Sequence, residues 1–278
     1  MRIDAHQHFW RYNAEDYQWI PEAGLILKQD RLPAHLQLLL ARAGIEATIA
    51  VQARQSLAET DWLLQLADET QFIQGVVGWV DLCSPLVYEQ LLHYSRHPKF
   101  RGVRHVVQAE PDDSFMLRPQ FLHGLSLLAA FNLTYDLLLL PKHLRAAAEV
   151  AQKFPDQCFV LDHMAKPLIR EQIHSPWEED IRALAENPNV YCKISGMVTE
   201  AAWDSWKLAD FKYYLDVVFD CFGRDRLMFG SDWPVCTLAA DYGETVFIVQ
   251  EYVHGWSKAD LDKLFGNNAM NFYRIPTA

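Results

Sequence analysis

Short, almost wholly apolar runs alternate along this chain with longer stretches in which apolar residues recur every three or four positions. Eight runs are strand-like: 2–6, 47–52, 73–80, 102–107, 133–138, 158–162, 190–194 and 227–230. Val, Ile, Leu, Phe and Tyr dominate them, as expected of strands buried on both faces. Helical spacing fills the gaps. It runs over 32–43, stopping at Gly44, and over 56–70, opening on a Ser56 cap. It continues over 85–95, 119–131, 142–154, 177–187, 203–222, 242–252 and 258–272.

Strand and helix alternating through the whole chain predict an α/β fold with a parallel sheet and crossover helices. Eight such units in 278 residues predict one closed (β/α)8 TIM-like barrel. An open doubly wound sheet would carry a glycine-rich turn after its first strand. Here that turn reads His6-Gln7-His8-Phe9-Trp10, without glycine. No linker, repeat or low-complexity segment divides residues 1–278, so one domain is expected. The aromatic segment 9–30 is expected to lie as a loop over the barrel mouth.

In such barrels the chemistry sits at the C-terminal ends of the strands. The polar residues predicted there are His6 and His8; Gln52 and Arg54; Trp79 and Asp81; Arg104 and His105; Tyr135 and Asp136; Asp162 and His163; Lys193 and Ser195; Ser231, Asp232 and Trp233. Residues i and i+2 of a strand share a face, so His6 and His8 should converge, with Asp4 on the same side. Paired imidazoles suit Zn(II) and related ions, although two hydrogen-bonded structural histidines would look the same. Asp232 is the candidate general base; the alternative is a cap for the turn before Pro234. His163 is a third ligand or a donor to a carbonyl, against a buried histidine satisfied by backbone. Asp162 should face the other way and tie strand to helix. Lys193 and Arg104 could steady an oxyanion or bind substrate oxygens, or balance Asp4 or Asp136. Of the aromatic residues near the mouth, Trp79 and Trp233 are expected to line the pocket.

A net charge of −11 argues against nucleic acid or an anionic membrane as partner. No apolar run is long enough for a transmembrane helix. The five cysteines, Cys83, Cys158, Cys192, Cys221 and Cys236, form no Cys-x-x-Cys pair. Their odd number and the motif beginning at Asp4, which leaves no room for a secretory signal, predict a cytoplasmic protein.

Several of these segments carry a family resemblance. Asp4-Ala5-His6-Gln7-His8-Phe9-Trp10, Val51-Gln52-Ala53-Arg54, Gly78-Trp79-Val80-Asp81-Leu82 and Arg101-Gly102-Val103-Arg104-His105 are similar to the amidohydrolase-2 group of the amidohydrolase superfamily. So are Leu161-Asp162-His163, Cys192-Lys193-Ile194-Ser195-Gly196 and Met228-Phe229-Gly230-Ser231-Asp232-Trp233-Pro234. The nearest likeness is to sugar lactonases of the L-fuconolactonase type. The resemblance implies a distorted barrel with His6, His8, His163 and Asp232 at the catalytic centre. These four would also be the metal ligands, and Gln52, Arg54, Trp79, Arg104, His105, Lys193 and Trp233 would contact substrate. Better-known binuclear members bridge two metals with a carboxylated Lys or a Glu near the fourth strand. This chain has Arg104 and His105 there, so the resemblance implies at most one divalent metal, Zn foremost, with metal-free catalysis as the alternative. It implies hydrolysis of a small neutral sugar lactone, in a chain that could form a homo-oligomer. A metal-dependent decarboxylase, a hydrolase of anionic lactones and a non-catalytic sugar-binding protein are the competing readings.

Overall fold

The computed structural model describes residues 1–276. Eight strands pair in parallel and in chain order: β1 (Ile3–Gln7), β2 (Ala47–Val51), β3 (Ile73–Gly78), β4 (Phe100–His105), β5 (Thr134–Leu137), β6 (Phe159–Leu161), β7 (Val190–Ile194) and β8 (Leu227–Phe229). The sheet closes through the strand ends. The backbone N–H of His8 donates to the Trp233 carbonyl at 2.7 Å, and that of Asp232 donates to the His6 carbonyl at 2.8 Å. The expected TIM-like barrel is therefore the observed fold.

Outer helices follow each strand: α1 (Pro33–Ala43), α2 (Leu57–Glu69), α3 (Val87–Tyr94), α4 (Pro119–Leu127), α5 (Leu144–Lys153), α6 (Trp177–Ala185), α7 (Leu208–Phe222) and α8 (Tyr242–Tyr252). α2 starts where the Ser56 hydroxyl accepts from the Glu59 N–H, as its sequence signal predicts. α7 starts later than the apolar spacing suggests. Residues 203–205 form a turn, and the Lys207 N–H donates to the Asp210 carboxylate at 2.8 Å. The last predicted helix is three pieces: α9 (Lys258–Asp262), a π turn (Lys263–Asn267) and α10 (Asn268–Phe272).

One large apolar layer packs between strands and helices. A second cluster fills the barrel interior with Ile3, Ala5, Ile49, Val77, Val160 and Met228, joined by Phe272 and Tyr273 from the C-terminal segment. Above it the interior turns polar. The aromatic loop after β1 has a small core of its own, Trp10, Tyr17, Ile20 and Leu27. Its ends are stapled by paired backbone bonds between Trp10 and Arg31. Among the described residues no helix is long and apolar enough to cross a membrane, and the five cysteines are unpaired.

Candidate active site

A register shift in β1 sets the site. Between Asp4 and Gln7 the strand fits one residue more than β2 does, so strict alternation fails there. Ala5 joins the interior cluster and His6 also points into the barrel. Asp4, expected beside them, is turned away. Its carboxylate accepts from the Ser231 N–H (2.9 Å) and hydroxyl (2.5 Å) and from the Tyr242 hydroxyl of α8 (3.1 Å). Asp4 therefore fastens β1 to β8 and α8, and burial pushes its carboxyl up to about 6.

Two layers of polar groups occupy the upper barrel. In the lower one, the Lys193 ammonium lies 2.5 Å from Asp136 Oδ2 and 3.0 Å from Asp162 Oδ1. Arg104 Nη1 meets Asp162 Oδ2 at 3.0 Å, and the Tyr273 hydroxyl donates to Asp136 Oδ2 at 2.8 Å. All these groups are buried. Burial opposes ionisation of Asp162, but Lys193, His6 and Arg104 outweigh it and hold its carboxyl well below the usual carboxylate range.

The upper layer is built from histidines around Asp232. Asp232 Oδ1 lies 3.3 Å from His8 Nε2, 3.7 Å from His6 Nε2 and 3.8 Å from His163 Nε2. Despite burial, His163, His8 and His6 keep this carboxyl below its ordinary value, so it is ionised at neutral pH. Burial lowers His163 to about 4 and His6 well below its ordinary value, so both imidazoles are neutral there.

Glycine makes room for two of these rings. At Gly196 φ is +65°, and an added Cβ would meet the His163 ring at 2.6 Å. At Gly230 a Cβ would meet His6 Cβ at 2.7 Å.

Tautomers follow from the partners. His8 Nδ1 lies 2.8 Å from the Val51 carbonyl, an acceptor, so His8 carries its proton there and turns a bare Nε2 inward. His6 Nδ1 has both Asp162 Oδ1 and the Lys193 ammonium at 3.2 Å. Lys193 also pairs with Asp136 and Asp162, and the Arg104 guanidinium, a donor, lies 3.4 Å from Nε2. A proton on Nδ1 therefore suits the set and gives His6 the same tautomer. Two bare Nε2 atoms then face each other at 3.2 Å beside an anionic carboxylate. Such a donor set suits a cation. Tetrahedral Zn–N bonds of about 2.0–2.1 Å place ligand nitrogens roughly 3.3–3.4 Å apart, close to that separation. The ligand atoms of His6, His8 and Asp232 all lie within 4.8 Å of one another, so the three fit one divalent ion. A second cluster, His6, Asp162 and His163, meets the same distance limit. It already holds its cations, because Lys193 and Arg104 both stand 3.0 Å from Asp162.

The Amidohydro_2 (amidohydrolase) family model matches residues 3–275. The chain belongs to this family. The L-fucono-1,5-lactonase of Burkholderia multivorans is 39% identical to this amidohydrolase, covering 99% of this chain and 97% of that one. The protein of the same name from Burkholderia ambifaria is 38% identical, covering 99% and 96%. A crystal structure of an amidohydrolase from Burkholderia multivorans with bound zinc has a TM-score of 0.96 at 40% identity, covering 99% of this chain and 100% of that one.

A cavity of about 660 Å³ opens above the upper layer of this amidohydrolase. His8, His163, Asp232, Arg54 and Arg104 line it. The other predicted contact residues stand back from the lining. Gln52 is buried and donates to the Arg104 carbonyl. His105 is held by Glu110 at 2.7 Å and stacks on Phe115, with the Trp79 indole N–H toward it. Trp233 packs edge-on against Phe9. Lys193 is buried in the lower layer, where it touches His6 Nδ1 at 3.2 Å.

Asp162 is a correction. It faces inward beside His163, because β6 ends at Leu161 and residues His163 to Lys166 all take φ between 51° and 58°. That left-handed turn swings both side chains to one side, and no glycine announces it. Trp19, Gln108 and Lys166, which also line the cavity, carry no motif that strand-end reasoning could find.

Proposed function

We propose that this protein hydrolyses a neutral sugar lactone of the aldonolactone class, such as L-fuconolactone, to the aldonic acid. One observation carries the reading: an ionised, buried carboxylate, Asp232, stands within 3.3–3.8 Å of three imidazoles on a cavity wall. The full-length likeness to proteins named L-fucono-1,5-lactonase supports the choice of substrate. Five unpaired cysteines fit a cytoplasmic setting.

Lactone opening needs an activated water, a polarised carbonyl and a proton for the leaving oxygen. Asp232 takes a proton from water as the water oxygen bonds to the carbonyl carbon. The carbonyl electron pair moves onto its oxygen. His163 offers that oxygen a donor when its proton is on Nε2, the nitrogen 3.8 Å from the Asp232 carboxylate; Nδ1 then accepts from the Ser195 hydroxyl at 2.9 Å. Collapse expels the ring oxygen, which takes the proton back from Asp232. The Arg104 guanidinium, fixed by Asp162, binds substrate oxygens at the cavity wall. His6, His8 and Asp232 would hold a divalent ion, zinc by their nitrogen donors, and such an ion supplies Lewis acidity toward the carbonyl and acidifies water.

The test is a pH-indicator screen of aldonolactones, with and without chelator. Acid release from L-fuconolactone far above spontaneous hydrolysis supports the reading. Absence of turnover on every neutral sugar lactone, in protein supplied with zinc, sinks it. Loss of rate on chelation, restored by zinc, assigns the ion a part in the reaction.

A further inference from the structure

Trp79 and Trp233 stand back from the cavity, yet a tryptophan does reach it. Trp19, on the loop between β1 and α1, lines the cavity and is 45% exposed. Of the nine tryptophans it alone is exposed. It is also the one Trp, Tyr or Phe in the cavity lining among the described residues. A partly uncovered ring on a cavity wall keeps apolar surface that a bound ligand can bury favourably.

The ring is held rather than loose. It stands edge-on to Trp10, with centroids 5.7 Å apart at 87°. Trp10 is fully buried, and its indole N–H donates to the Gln29 carbonyl at 2.9 Å. The loop is tied across the mouth by an ion pair between Asp16 and Arg54, and the Arg54 guanidinium lies 5.6 Å from the Tyr17 ring centre. The rest of the wall offers hydrogen bonds, from Arg54, Gln108, Arg104 and Lys166. A sugar lactone has the matching two-sided character: hydroxyls around its edge and a C–H face that packs on an aromatic plane.

We propose that Trp19 is a specificity-determining residue, the platform on which the C–H face of the sugar ring lies while Asp232 and the histidines act on its carbonyl. This rests on the lactonase reading and adds the residue that recognises the sugar. A platform contact is made equally in ground and transition states, so its loss raises KM and spares kcat.

The experiment compares wild type, Trp19→Ala and Trp19→Phe. It uses steady-state hydrolysis of L-fuconolactone and changes in tryptophan emission as the product, L-fuconate, is titrated. For Trp19→Ala the expected result is a KM raised about tenfold, with kcat within about twofold. Trp19→Phe keeps a ring on Trp10 and should hold KM within about threefold of wild type. It should also lose most of the emission change. An unchanged KM in Trp19→Ala overturns the inference, as does an emission change that survives in Trp19→Phe. A fall in kcat matched by lowered thermal stability in both variants also overturns it, because it marks a packing role. If wild type turns over no sugar lactone, the functional reading fails by itself. Titration with the then stable lactone still decides whether Trp19 contacts a sugar.

Discussion

The two polar layers of the barrel use the same kinds of residue and end in opposite states. The lower layer pairs each acid with a cation: Asp136 with Lys193, and Asp162 with both Lys193 and Arg104. Neither cation opposes Asp232 within ion-pair distance; its partners are three imidazoles, at least two of them neutral. One layer is electrically complete, the other is left anionic at a cavity wall. Completeness gives a rigid base on which His6 is held in one tautomer. Incompleteness gives a place where a water proton or a cation is welcome. Support and reactivity thus meet at His6, which touches both layers, and at Arg104, which pairs with Asp162 and reaches the cavity wall.

Breaking the lower layer should cost the most. Lys193→Met removes the cation shared by two buried carboxylates, and truncating one partner of such a network costs about 3–5 kcal/mol. Urea unfolding measures it. A loss below about 1 kcal/mol would mean that the pairing does not hold the layer together. The upper layer should respond in the reverse way. Asp232→Asn keeps the backbone, because Asn accepts the φ of +57° found there. Turnover of L-fuconolactone should fall by about 10²-fold or more, with a smaller loss of stability than in Lys193→Met, because the depressed Asp232 carboxyl is steadied by imidazoles alone. Near-normal turnover would remove Asp232 from the role of base.

The contrast between the layers was only partly legible in the chain. Strands buried on both faces and capped helices announce themselves locally, which is why Val190–Ile194 and Tyr242–Tyr252 match the expected bounds. His6, His8, His163 and Asp232 were legible because strand ends in a barrel converge. Asp4 and Asp162 were misread for a shared reason: alternation assigns a face only while the backbone stays regular. A register shift in β1 and a left-handed turn after β6 break that condition; no glycine marks either, and Pro167 comes only after the turn is complete. Tyr273 went unnoticed, and Trp19, on the aromatic segment expected over the mouth, was passed over for Trp79 and Trp233, for a different reason. Their importance comes from what the closed barrel places beside them, not from any pattern along the chain.

A third test concerns the loop that supplies the cavity wall. Glu59, buried in α2, accepts the backbone N–H groups of Ala53 (3.0 Å) and Arg54 (2.8 Å) on Oε2, while Oε1 has no partner among the described residues. Burial pushes its carboxyl up to about 7, from an ordinary 4.5. The folded protein therefore keeps this proton where the unfolded chain has lost it. The stabilisation is fully present below pH 4.5 and disappears as pH rises through 7. One group contributes a slope of at most about 1.4 kcal/mol per pH unit. Subtracting the stability profile of Glu59→Gln from that of wild type should isolate this slope between those limits. A flat difference would mean that Glu59 is ionised in the folded state throughout.

The smallest expected effect makes the sharpest division between the layers. Tyr273→Phe removes one hydroxyl from the lower layer and leaves the ring in the interior cluster. Asp136 keeps Lys193 but loses the 2.8 Å bond, and its Oδ1 already has no partner. Loss of one hydrogen bond to a charged group costs about 1.5–3 kcal/mol. Asp136 is also one step removed from the reaction: it reaches His6 through Lys193, which touches both Asp136 and His6 Nδ1. If the lower layer is support alone, kcat should stay within about twofold while the unfolding midpoint drops. A fall in kcat at unchanged KM would instead mean that the charge balance of the lower layer tunes His6, and the two layers would have to be treated as one coupled site.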